Sequence, residues 1–178
     1  MGNMEHLPLP KGLESLAWLE GTWRTDNYGN GNYPTIKDFK YYEEISFAYI
    51  GQPMFNYTAR SYSILEPKKP MAQSTGFLKV KPNTNKVFFI LAHNFGLSTI
   101  EEGEVINNTI YLKSTDILRM KEAKPPQVTQ IHREFKLDGN CLEHVLYMAT
   151  SNTPVLTEHL RAKYVKVHEE DVKNIKET

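Results

Sequence analysis

The stretch Phe39-Lys40-Tyr41-Tyr42-Glu43-Glu44-Ile45-Ser46-Phe47-Ala48-Tyr49-Ile50 decides the fold. It runs without glycine or proline and is dense in aromatic side chains, which suit a pleated surface. Strand alternation sends Phe39, Tyr41, Glu43, Ile45, Phe47 and Tyr49 to one face and Lys40, Tyr42, Glu44, Ser46, Ala48 and Ile50 to the other. Both faces mix polar and apolar groups. The inner face of a two-sheet sandwich should be cleaner. A barrel that encloses a ligand cavity tolerates polar groups inside, because its lumen holds water or the polar end of a ligand. The stretch therefore favours a barrel.

The rest of the chain repeats the pattern at strand length. Turn signals recur at Gly29-Asn30-Gly31-Asn32, Gly51-Gln52-Pro53, Glu66-Pro67, Lys81-Pro82-Asn83, Asn107-Asn108, Lys124-Pro125-Pro126, Asp138-Gly139-Asn140 and Asn152-Thr153-Pro154. Between them, strands are predicted over 21–26, 38–50, 54–64, 72–80, 86–94, 97–105, 109–114, 128–137, 142–149 and 158–168, with 117–121 a further strand or a turn of helix. Only Leu13 to Leu19 carries helical spacing. Consecutive strands joined by tight turns, without helical crossovers, give an all-β, closed, antiparallel ten-stranded barrel with short helical turns. No repeat or linker divides residues 1–178, so a single domain is expected, with an ordered core of about 11–168 and fraying at both ends.

Composition narrows the function classes. The 178 residues carry 21 basic and 21 acidic side chains, a balance that argues against a nucleic-acid partner. There is no apolar run long enough to span a membrane and no leader-like start, so no membrane association is expected and a cytoplasmic location is, with the nucleus as an alternative. The single cysteine, Cys141, excludes an intramolecular disulfide and a multi-cysteine zinc site. No nucleophile elbow, phosphate loop or dinucleotide fingerprint is present. Glu43-Glu44 and Glu101-Glu102 are neighbours in sequence only; alternation sends the members of each pair to opposite faces, so neither is an acid/base couple.

Several stretches, in this order and spacing, resemble a known family: Leu16-Ala17-Trp18-Leu19-Glu20-Gly21-Thr22-Trp23, then Gly29 to Thr35, Phe39 to Glu44, Gly76-Phe77-Leu78-Lys79-Val80-Lys81-Pro82, Glu101-Glu102-Gly103-Glu104, Met148-Ala149-Thr150 and Leu156-Thr157-Glu158-His159-Leu160. They resemble the nitrobindins, haem-binding barrels of lipocalin-like (calycin) form once called fatty-acid-binding-protein-like. The likeness covers roughly 13–168 and is strongest to the animal branch, which includes the C-terminal domain of THAP zinc-finger proteins. The family's Gly-x-Trp-x-Gly-x-Gly motif keeps Gly21 and Trp23, but Thr25 and Asn27 replace the later glycines, and Gly29 and Gly31 follow in a longer loop.

The resemblance implies one haem b per chain, with His159 as the iron ligand and catalytic centre and Thr35 as a haem contact. Met71 and Met148 match family pocket positions, where a polarizable thioether fills an irregular apolar wall. It further implies nitric oxide binding by the ferrous form, conversion of peroxynitrite to nitrate by the ferric form, and assembly as a homodimer. Pattern alone reads His159 otherwise, since it shares strand parity with Arg161 and Lys163 and so belongs to a solvent face. His93 ends the alternating face Val87, Phe89, Leu91 and is expected to point into or under the lumen, either as a pocket-lining group or as a second axial ligand. His132 and His144 read as sheet histidines, and Trp18 and Trp23 as a plug at one barrel end. Two rival functions stay open: a nitric-oxide sensor or carrier using the same haem without turnover, and a fatty-acid-type carrier anchoring a carboxylate on Arg133, Arg161 or Tyr164.

Overall fold

A computed structural model describes residues 8–168, and His6 lies outside them. The chain enters through a 3₁₀ helix, Lys11–Leu19, in which Leu13, Leu16 and Leu19 are fully buried. Their spacing of three residues is the period of a 3₁₀ helix, so all three line one face. That face closes one end of a barrel and packs on Trp23, Ile45, Phe47 and Phe55. Trp23 Nε1 donates to Leu19 O at 2.9 Å, tying plug to wall.

The strands are β1 (Gly21–Thr25), β2 (Gly29–Gly31), β3 (Phe39–Tyr49), β4 (Met54–Ser63), β5 (Pro70–Val80), β6 (Lys86–His93), β7 (Leu97–Ile106), β8 (Thr109–Arg119), β9 (Val128–Asp138), β10 (Cys141–Thr150) and β11 (Thr157–Lys166). Each of β3 to β11 pairs antiparallel with the next, and the ring closes because β1 and β2 both pair with β3 and with β11. β1 and β2 are thus two halves of one stave broken at 26–28, which makes the ring ten staves around. Closure removes most of the free edge, leaving unpaired with one another only the part of β8 after Lys113 and the part of β9 before His132.

The turns behave as their residues dictate. Asn107 and Asn108 both take positive φ in the two-residue link between β7 and β8, and Gly139 does so between β9 and β10. Both links have the chemistry of a primed hairpin turn. β8 is longer than the 109–114 run expected from sequence and takes in Ile117, Leu118 and Arg119 of the 117–121 run. Its register against β7 shifts where Ile100 faces Asp116 and Glu101 faces Ser114, leaving Thr115 as an extra residue. That bulge is the interruption the sequence pattern registers. β5 likewise begins two residues early, and β2 falls in what reads as a turn.

Candidate functional site

The predicted parity of β3 holds, and it organises the interior. Tyr41, Ile45 and Phe47 are buried, Lys40, Tyr42 and Ala48 exposed. Ile45 and Phe47 join the plug, whereas Phe39, Tyr41 and Glu43 face a cavity of about 320 Å³ that opens at the other end of the barrel. Its lining is predominantly apolar and includes Tyr33, Met71, Phe95, Val128, Met148 and His159.

His159 reaches this cavity through a β-bulge. Leu146 pairs with Leu160 and Tyr147 with Glu158, so His159 is the extra residue of β11. One extra residue reverses parity. His159 therefore turns inward with 1% exposure while Arg161 and Lys163 keep to the outside, and the solvent-face reading of strand parity is corrected. The imidazole is held on two sides. Its Nδ1 lies 2.9 Å from Thr157 O. A carbonyl only accepts, so Nδ1 carries the hydrogen and Nε2 keeps its lone pair. The Tyr33 ring meets the imidazole edge-on at 4.7 Å.

Two glycines shape the wall beside it. A Cβ on Gly31 would stand 2.3 Å from Phe39 Cζ, and one on Gly29 would stand 2.3 Å from Tyr41 Cζ. Both distances lie far inside van der Waals contact. The bare backbone of β2 lets the two rings lie across it toward β11, which is the structural use of the displaced glycines of the sequence motif.

The other candidates separate. Thr35, Met71 and Met148 all line the cavity with His159, Met148 buried and Met71 half-open at the mouth. His93 is not among the lining residues. It sits on the inward parity of β6, its Nδ1 2.7 Å from Ser74 Oγ and its ring stacked at 5.1 Å on Phe95, which does line the cavity. His93 Nε2 is buried without a partner, and burial together with the Arg133 charge lowers its pKa to about 4, so the ring is neutral at pH 7.

Below the cavity lies a polar layer that sequence reading missed. Arg133 donates from Nε and Nη2 to the two carboxylate oxygens of Glu101 at 2.9 and 3.1 Å, and from Nη1 to His144 Nε2 at 3.0 Å. Glu101 also accepts from Thr99 Oγ1 at 3.1 Å. His144 stacks on Phe135 at 4.5 Å, and its pKa is pushed well down by burial and then by Arg133. Glu43 takes a 2.5 Å hydrogen bond from Tyr164 Oη, and burial raises its pKa. The signal lay in the paired carboxylates, since the inward member of each pair is the one in this layer, Glu101 fully buried and Glu43 bordering the cavity. His132, by contrast, is peripheral and bonds only Gln130. Among the described residues no cluster of three or more His, Cys, Asp or Glu could hold a metal ion, and no helix is long and apolar enough to cross a membrane.

A donor set of one imidazole in an aromatic and thioether-lined cavity suits a haem better than a bare metal ion. A family model described as a THAP4-like, heme-binding beta-barrel domain matches residues 12–166. The chain belongs to this family. The human protein named peroxynitrite isomerase THAP4 is 42% identical over 156 residues, which cover 87% of this chain but 27% of that protein. The chain thus spans about a quarter of that relative. A peroxynitrite isomerase of Nocardia farcinica is 40% identical over 154 residues, 84% of this chain and 88% of its own. The crystal structure of Rv2717c from M. tuberculosis superposes with a TM-score of 0.80 at 32% identity, covering 90% of this chain and all of that one. The closed antiparallel barrel is that of the family, and the family's domain binds haem.

Proposed function

We propose that this chain binds one haem b through His159 and isomerises peroxynitrite to nitrate. The observation that carries the reading is the imidazole itself, turned into an apolar cavity by a bulge, with Nδ1 tied to Thr157 O and Nε2 left bare. A ring nitrogen fixed by a backbone carbonyl on its far side is the usual arrangement of a metal-ligating histidine. The haem, held by His159, would supply a Lewis-acidic iron when bound.

The protein's own groups do the rest. Thr157 O keeps the proton on Nδ1 and so keeps the donor atom fixed. Tyr33 braces the ring from its edge. Phe39, Met71 and Met148 give the macrocycle an apolar bed and exclude water, which strengthens the electrostatics inside. Thr35 stands at the rim. His93, one contact removed behind Phe95, steadies that wall as a neutral ring. Peroxynitrite and nitrate are both monoanions, so the rearrangement needs no net proton transfer.

The ferrous form binds nitric oxide at the same site in this reading, and the working location is cytoplasmic or nuclear. The chain pairs as a homodimer, supported by a cross-strand apolar row on the outside, where Phe77 faces Ile90 and Ile90 faces Ile100. A fatty-acid carrier loses its anchors. Arg133 is committed to Glu101 and His144, Arg161 to Glu158 and Glu143, and Tyr164 to Glu43.

The test is a hemin titration of the wild type and His159→Ala, followed by peroxynitrite decay on each. A sharp Soret band with faster decay in the wild type, both lost in the variant, is expected. Equal spectra in the two proteins overturn the assignment, and loading without acceleration leaves a nitric-oxide carrier.

A further inference from the structure

The innermost part of the cavity carries polar groups to which the haem reading assigns no role. Tyr41 lines the cavity and is 2% exposed, and among the described residues its hydroxyl makes no well-formed hydrogen bond, the hydroxyl of Tyr164 being the one beside it. Its neighbour Tyr164 gives its one proton to Glu43 Oε2. A buried hydroxyl left unpaired costs stability and calls for a partner that enters from the cavity.

Glu43 is the next residue inward on the same face. Its side chain retains accessible surface although protein encloses it, because it borders the cavity rather than bulk water. Among the described residues Tyr164 is the only hydrogen-bond partner of the Glu43 side chain. The charges around it decide its state. The groups that act on it are Tyr164 of β11, Tyr41 of its own strand, Tyr33 before that strand, Tyr57 of β4 and Arg133 of β9. Arg133 is the one cation, and Glu101 already takes two of its hydrogen bonds. One guanidinium balances one carboxylate, and burial raises the pKa of the second carboxyl against the smaller lowering effects of Tyr164 and Arg133, which favours its protonated form. Oε2 is occupied, which leaves the proton for Oε1 and for the cavity.

We propose that the Tyr41 hydroxyl and the Glu43 carboxyl form a donor pair that receives one small monovalent oxyanion at the inner end of the cavity. Two neutral donors match an anion's acceptor oxygens and repel nothing. The geometry stands without haem; the choice of nitrate as the natural occupant rests on the isomerase reading, in which it is the product.

The experiment uses the full chain, isotope-labelled and free of hemin, titrated with sodium nitrate and, at equal ionic strength, with sodium chloride. Nitrate is expected to give saturable NMR shifts at residues 41–43 and 164 that chloride does not. Tyr41→Phe should weaken binding about tenfold, the loss of one hydrogen bond to a charged ligand. Its melting temperature should not fall, since it removes an unpaired hydroxyl. Glu43→Gln keeps an N–H donor and should bind nitrate at all pH values, whereas the wild type loses binding as pH rises and Glu43 ionises. Shifts equal to those of chloride, binding unaffected by Tyr41→Phe, or a pH profile shared by wild type and Glu43→Gln each overturn the proposal. Failure of the haem reading shows separately, in the hemin titration of His159→Ala.

Discussion

Replacing Glu101 by Gln tests the polar layer beneath the cavity. Glu101 is fully buried and Arg133 is 6% exposed. At the 2.9 Å Nε–Oε2 contact, with an effective dielectric of about 20, the attraction is about 6 kcal/mol. Desolvation of both ions offsets most of that, so the pair itself contributes little beyond an apolar equivalent. Removing one partner is different. Glu101→Gln keeps shape and one acceptor but strands a buried guanidinium, and the expected cost is about 3–5 kcal/mol. With a urea m-value of about 2–3 kcal/mol/M, the unfolding midpoint should fall by roughly 1–2 M at pH 7. Part of the loss is recoverable, because Glu43 also feels Arg133. In the variant Glu43 should ionise and serve as the substitute counter-charge. The double variant Glu101→Gln, Glu43→Gln should therefore be more destabilised than the sum of the singles, by about 1 kcal/mol or more. The apolar double variant Arg133→Met, Glu101→Leu should recover most of the stability. A Glu101→Gln cost below about 1 kcal/mol, or an apolar pair worse than the single variant, refutes the reasoning.

Gly31→Ala forces the Phe39 ring off β2, and the cavity that Phe39 lines adjoins it; hemin affinity should drop with a stability loss of about 1–3 kcal/mol, read by hemin titration and urea unfolding. Leu16→Ala opens the plug at the opposite end and should cost about 2–5 kcal/mol, read by thermal melting, with hemin binding at lower temperature retained. His93 has a folded pKa near 4 against an ordinary 6.5, so the stability it carries is full above 6.5 and is lost as pH falls toward 4, by up to about 3 kcal/mol; His93→Asn should flatten that limb of a urea-midpoint profile, with a remainder due to His144. Glu43 works in the opposite sense. Its raised pKa makes its contribution full below the ordinary carboxylate range and lost as pH rises through the folded value, so Glu43→Gln should lift the alkaline limb.

The barrel was legible because its turns and alternation are local. Asn107-Asn108 and Gly139-Asn140 announce their hairpins, and the face Phe39, Tyr41, Glu43 is inward as the period requires. What escaped is a property of pairing. The bulge at His159 exists only as a mismatch with β10, and the one at Thr115 only against β7. β2 is too short and glycine-rich to read as a strand, yet it completes the ring through register with β3 and β11. The roles of Arg133, Glu101 and Glu43 were hidden for another reason. Charged side chains at strand positions read as solvent-facing until their partners from other strands are known, and the resemblance, although its stretches include Glu43 and Glu101, assigns them no role. For His159 the order was reversed, with the family likeness naming the residue and the register explaining how it turns inward.

A single surplus residue in β11 separates a barrel that presents an imidazole to its interior from one that displays it to water. Loss of one position between 157 and 160 would restore uniform pairing with β10, at the cost of the hydrogen bond from Asn32 N to His159 O beside β2. Cofactor chemistry in this architecture is therefore a matter of counting, acquired or surrendered by the shortest possible insertion or deletion. Relatives that differ there by one residue should keep the vessel and forfeit its iron.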